Sequence, residues 1–322
     1  MSNMNQNTNN YYSEENTKMK KLHDYDINNT LNAHYAVAQK KSPFSIFENE
    51  RMIRNTNDNP HGILLADIHK KICVALSVHL VITSELLYRL FQSKGLTYEK
   101  KDIQRHLSKL ERAGYLTTLG FESDTGSFSG KAYVLAGRGY SYLHSMGVCC
   151  KMGGFIAEQE VYGIKRLLSA NQLIINGSYD NAKVAQVILI EPKNDKEKAS
   201  SIFRPTATLF NSNGEANCFI ECVRRSTDAE AELLDKLKRI TKVFKKRKNA
   251  NVPISKDASV ILVGEDEMHM CSLINTTKKY RRNLNLLFTH DLETYSCGDD
   301  CLYEYCPNKH SVSLGESLAA CL

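Results

Sequence analysis

The sequence predicts an α+β protein, a winged helix-turn-helix domain followed by a small α/β domain. Three observations predict it. Residues 82–143 read as helix, turn, helix and two-stranded hairpin, and then run into a closing helix. Beyond residue 158, helical stripes alternate with short β-rich runs such as KVAQVILI (183–190) and SVILV (259–263). With 322 residues the chain is long enough to build two hydrophobic cores.

The first 60 residues are rich in Asn, Ser, Glu, Lys and Tyr with little apolar periodicity, so a disordered polar arm is expected there. Within it, Lys40, Lys41, Ser42, Pro43, Phe44, Ser45, Ile46 and Phe47 read as a plain tail, as a docking segment, or as an arm that touches DNA or a partner. The expected winged domain covers 61–150. Its first helix, 62–80, carries the stripe Leu65, Ile68, Ile72, Leu76 and Leu80, and His69 and His79 read as surface or packing residues, not ligands. A second helix, 84–91, is capped by Thr83 or Ser84 and buries Leu86, Leu87 and Leu90.

The third helix carries the functional reading. Thr97 is the expected N-cap, Glu99 sits in the first turn, and Gly114 ends the helix. Ile103, Leu107 and Leu110 share one face. Stepping about 100° per residue from that face places Lys101, Arg105, Ser108 and Arg112 on the opposite side, with Lys109 beside them. An apolar back and a cationic front are what a helix in the DNA major groove needs, Arg and Lys reaching phosphates and guanine edges. The alternative is an ordinary solvated surface helix. The hairpin is expected as 115–119 and 131–135 around the turn-former-rich SDTGSFSG, with Lys131 at its base holding a phosphate. The Gly-containing segment SMGVCCKMGG then reads as a linker, with the boundary near Gly153. Cys149 and Cys150 are too close in sequence for an ordinary disulfide.

The second domain is expected over 155–295. It begins with a helix at 158–170, then the strand 183–190. A hairpin of 203–210 and 217–223 turns at Asn211, Ser212, Asn213 and Gly214. A long helix from Thr227 buries Leu233, Leu234, Leu237, Ile240 and Phe244. Its acidic start and basic end complement the helix dipole, while the density of cations near Lys245 and Lys246 also suits a phosphate contact. Strands at 259–263 and 284–288 complete a mixed sheet.

The chain resembles the replication-relaxation family of bacterial plasmid and mobile-element proteins. The resemblance covers roughly 64–290. It rests on the winged segment ending Tyr133-Val134-Leu135, Gly139-Tyr140 and Leu143, and on Arg204-Pro205-Thr206-Ala207 and Phe219-Ile220-Glu221 before a long helix. It implies that the second domain is restriction-endonuclease-like. A nuclease of that kind needs an Asp at the turn, a carboxylate on the next strand and a Lys two residues on. Here Thr206 stands at the turn, Glu221 is in place, Val223 replaces the Lys, and Arg224 points to the other strand face. The resemblance therefore implies a catalytically degenerate domain, unless Glu160 or Glu191 moves in.

Residues 296–322 form a Cys-rich tail in which Cys297, Cys301, Cys306 and His310 are candidate zinc ligands, against the alternative of incidental reduced thiols. The ten cysteines, with no basic-then-apolar leader pattern, suit a reducing cytoplasmic setting. A net charge of +6 and a pI near 8.7 suit a nucleic-acid partner. There is no phosphate-binding glycine loop, Ser-His-Asp order or dinucleotide fingerprint, so no cofactor is expected. The expected function is sequence-selective binding of double-stranded DNA by a plasmid or mobile-element protein. Its expected partners are a second copy of the chain and replication or transfer proteins. The competing readings are a metal-dependent nickase with a relocated site, and a transcriptional regulator or protein-interaction adaptor.

Overall fold

The computed structural model describes residues 25–26, 44, 51–55, 63–122, 128–148, 160–177, 182–184, 190, 202–296, 301–306 and 311–314. Among them are eight α-helices and two sheets, a mixed α+β architecture.

The N-terminal unit holds four of the helices. α1 (Asp67–His79) buries Ile68, Ile72 and Leu76 at four-residue steps. It starts later than its apolar stripe suggests, with Asp67 in the first turn and Leu64 left 96% exposed. α2 (Ser84–Ser93) is capped as expected: Thr83 Oγ1 accepts from Leu86 N at 3.1 Å. α3 (Lys100–Arg112) follows, then the hairpin β4 (Leu116–Glu122) and β5 (Phe128–Leu135), then α4 (Gly137–Ser145). Two short strands complete a four-stranded sheet in the order β2-β4-β5-β3, namely β2 (Arg51–Asn55) and β3 (Val81–Ile82).

β2 corrects the expected disordered arm. It runs antiparallel along β4 from Arg51↔Glu122 to Asn55↔Thr118. A hairpin strand with an open edge offers unpaired N–H and C=O groups, and this short polar segment satisfies them. Phe44 is also buried, 7% exposed in the same core, while the rest of 40–47 lies outside the described residues.

The larger sheet has eight strands in the order β1-β12-β11-β10-β9-β8-β7-β6. These are β1 (Tyr25–Asp26), β6 (Ala182–Val184), β7 (Ala207–Phe210), β8 (Ala216–Cys222), β9 (Ile254–Gly264), β10 (Asn285–His290), β11 (Tyr303–Cys306) and β12 (Ser311–Leu314). β8, β9 and β10 are parallel and every other pairing is antiparallel, so the sheet is mixed as expected. The tail beyond residue 296 is more than a Cys-rich appendage, because β11 and β12 extend the sheet from β10. Four helices accompany it: α5 (Val161–Asn176), α6 (Ala229–Lys245), α7 (Glu267–Thr276) and α8 (Asp291–Ser296).

The two-residue side-chain period sorts the sheet's faces. Phe219, Val260, Leu262, Leu286 and Phe288 pack with α6 and α7 in one core. Ile220, Ile261, Val263 and Leu287 face the other way, onto α5, in a core that also contains Leu76, Leu107 and Leu119 of the N-terminal unit. α5 is therefore buried on nearly all sides from Ile164 to Ile175, as a helix between two layers must be. Its polar side chains bond to both neighbours. Asn171 Nδ2 donates to His79 O at 2.8 Å and to Val81 O at 2.7 Å, while Gln172 Nε2 donates to Asp291 O at 2.6 Å. Asn171 thus clamps the carbonyls on either side of Leu80, whose φ of +67° is strained for a branched residue. One continuous core joins the two units across α5.

Candidate nucleic-acid interface

α3 owes its orientation to its apolar face and its C-terminus. Ile103, Leu107 and Leu110 are fully buried. The helix ends in a two-bond glycine motif in which Gly114 (φ +71°) donates to Glu111 O at 2.9 Å and Tyr115 N to Leu110 O at 2.9 Å. The N-cap is Glu99, not Thr97, and its side chain makes no capping bond; it pairs with Lys101 instead (2.7 Å).

On the outer face Lys101, Arg105, Lys109 and Arg112 are exposed and Ser108 is half-buried. Lys101 and Arg105 side chains are 80% and 62% exposed. Both are held by local anions, Arg105 by Asp102 at 2.9 Å, three residues away. Arg112 Nε donates to Ser108 O at 3.3 Å. Exposed ion pairs of this kind are weak and exchange readily for a phosphate. Gln104 is exposed within one residue-step of this face and was not singled out in the sequence, although its side chain suits adenine readout.

The back of α3 is tied to α1 by an imidazole pair. His69 Nε2 lies 2.8 Å from His106 Nδ1, with the rings edge to face at 4.8 Å between centroids. Ala66 N donates to His69 Nδ1 at 3.0 Å, so His69 carries its proton on Nε2 and gives it to His106. Burial, first among the causes, lowers the pKa of both rings; His106 and Lys109 add to this at His69, and Arg105 and Lys109 at His106. His69 and His79 are indeed packing residues, 4% and 7% exposed.

The hairpin is longer than the sequence suggests. β5 begins at Phe128, so Lys131 pairs with Gly120 in the outer half, and the base is at Leu116↔Leu135. The turn formers 128–130 are part of the strand, with a bulge between Phe121 and Glu122. Lys131 is exposed. Beside Glu122 stands Arg51, 72% exposed and 3.3 Å from that carboxylate. Arg51 was hidden by the polar composition around it, although the apolar Met52 and Ile53 that follow are a usable strand signal.

Lys245 and Lys246 are exposed at the end of α6 but are not brought to this face. α6 belongs to the core on one side of the large sheet, and α3 to the core on the other. Of the zinc candidates, Cys297 and His310 lie outside the described residues, as do Cys149, Cys150 and Glu191. Cys301 is buried, 1% exposed, and Cys306 belongs to β11. Among the described residues no group of three His, Cys, Asp or Glu side chains is placed to hold a metal ion.

The position at which the resemblance places a strand carboxylate is Glu221. Glu221 is 1% exposed at a cleft of about 960 Å³ whose lining includes Glu160, Arg166, Arg204, Lys236 and Arg239. Lys236 Nζ, from α6, lies 2.6 Å from Glu221 Oε2, Arg166 3.7 Å away, and Thr206 Oγ1 donates to the same oxygen at 3.4 Å. The ammonium expected at 223 thus comes from a helix. Two cations already offset the single buried carboxylate, so these residues do not fit a divalent metal. Arg224 also borders this cleft, but its guanidinium forms a buried bidentate pair with Asp291, joined by Ser169.

The chain matches no family model, no curated protein and no solved structure. The functional reading accordingly rests on the geometry above. Among the described residues no helix is long and apolar enough to cross a membrane.

Proposed function

We propose that the protein is a sequence-selective reader of double-stranded DNA, built as a winged helix on a restriction-endonuclease-like unit whose nuclease site is idle. The observation that carries this reading is the outer face of α3, where Lys101, Arg105, Lys109 and Arg112 stand exposed opposite the buried Ile103, Leu107 and Leu110, directly before a β-hairpin. α3 enters the major groove, and the hairpin rests on the backbone through Lys131, with Arg51 available beside it. The resemblance to the replication-relaxation family supports a task on a plasmid or mobile element. That task is replication initiation or assembly of a DNA-transfer complex in the cytoplasm, with a homodimer reading a two-fold site.

The test is duplex affinity against salt, using the element's own intergenic fragments and a random duplex. We expect a steep salt slope and one fragment preferred by about a thousandfold or more. Absence of salt-dependent binding overturns the reading and leaves a protein-interaction adaptor. Mg²⁺-dependent nicking lost in Glu221→Ala would replace the idle site by an active one.

A further inference from the structure

A second surface lies away from the α3 face. A groove of about 480 Å³ runs between α1, the C-terminal half of α2 with the residues up to Leu96, and the C-terminal end of α5. Its floor is Val74, Val78, Leu90, Phe91, Ile174 and Ile175. On α1 the groove positions 67, 70, 71, 74 and 78 fall on one helical stripe, and two of the outward places are valines. Val78 is 49% exposed, among the few large apolar side chains of the described residues left so open. A solvated face has no use for that pair, whereas a docking face does.

The rim says what docks. Lys70, Lys71 and Lys94 border the apolar floor, and the one carboxylate among the described lining residues, Asp67, pairs with Lys71 at 2.7 Å. The described border is therefore cationic around an apolar slot. We propose that this groove binds an amphipathic helix of a partner protein, with its apolar stripe in the slot and acidic side chains toward Lys70 and Lys94. The mode is helix-in-groove recognition, in which the apolar anchors supply affinity and the charges set orientation and partner choice. A second copy of this chain is the competing occupant. The inference does not depend on the DNA reading, since none of these residues belongs to the α3 face.

The test uses the full chain and two labelled synthetic helical peptides sharing leucines at i, i+3, i+4 and i+7. One carries flanking glutamates and the other flanking lysines. Fluorescence anisotropy should show the acidic peptide binding about tenfold or more tighter than the basic one. Val78→Glu should weaken the acidic peptide about tenfold. The Lys70→Glu/Lys94→Glu double variant should invert the preference. All three positions are on the surface, so thermal unfolding should stay near that of the parent chain. Equal binding of the two peptides, or an acidic peptide unaffected by Val78→Glu, overturns the proposal. A concentration-dependent dimer dissolved by Val78→Glu assigns the groove to a second copy and also overturns it.

Discussion

His69 gives its Nε2 proton to His106 Nδ1 across 2.8 Å, joining α1 to the back of the helix that carries the basic face. Protonating His106 on Nδ1 removes the acceptor and sets two donors against each other. Both folded pKa values lie below the ordinary 6.5, so the neutral pair is the stabilising form. Its contribution is complete above 6.5 and is lost as pH falls through the lowered folded values. Stability should thus decline as the solution is acidified from about pH 7. His106→Asn, which keeps an acceptor but does not titrate, should flatten that decline. Urea unfolding at a series of pH values checks this; an unchanged pH slope in the variant removes the pair from the explanation.

Arg105 is the forward residue at the middle of α3, held by Asp102 until something stronger displaces it. If it reads a guanine edge, Arg105→Ala costs about 1–3 kcal/mol on the preferred site and relaxes base choice at one position. Competition binding on a panel of single-base variants measures both effects. A variant that binds the preferred site like the parent removes Arg105 from the readout.

Lys131, in the outer half of the hairpin, has a different signature. A phosphate contact carries no sequence information, so Lys131→Ala should weaken all duplexes alike and reduce the log–log salt slope by about 0.9. Salt titrations on specific and random duplexes report this directly. An unaltered slope means that the hairpin stays off the backbone.

Gly139 lies in the first turn of α4 against the start of the hairpin. A Cβ there would stand 2.5 Å from Tyr115 O and 2.8 Å from a Leu135 methyl. The obstacle is partly backbone and cannot swing aside. Gly139→Ala should destabilise by about 1–3 kcal/mol, against the usual gain from replacing a helical glycine. Chemical denaturation gives the sign; a more stable variant would mean that α4 shifts freely.

Arg224 and Asp291 form a pair with both side chains essentially inaccessible, at 1% and 0% exposure. Asp291→Ala leaves an uncompensated buried guanidinium and should cost about 3–5 kcal/mol, whereas Arg224→Met/Asp291→Leu should recover most of it. The contrast between single and double variants in equilibrium unfolding is the readout. A loss near that of an exposed pair, about 1 kcal/mol or less, contradicts the burial.

Much of this chain was legible residue by residue. The stripe Ile103, Leu107, Leu110 and the closing Gly114 located α3, and the turn at Asn211–Gly214 located the β7–β8 hairpin. The stripe Leu233, Leu237, Ile240 located α6. The basic face of α3 followed from the same arithmetic. These features depend on neighbours within one or two turns, and short-range periodicity and cap chemistry record such neighbours.

What only the tertiary structure decided depends on partners far along the chain. β2 is a strand because β4 lends it an edge, and β11 because β10 does. Lys236 meets Glu221 because α6 crosses the face of β8, and Arg224 turns away because Asp291 waits 67 residues later. Asn171 holds the strained Leu80 through the carbonyls of His79 and Val81, 92 and 90 residues away. Hydrogen bonds and ion pairs of this kind have no period. They are set by which apolar faces must be buried together, and that is a property of the whole fold.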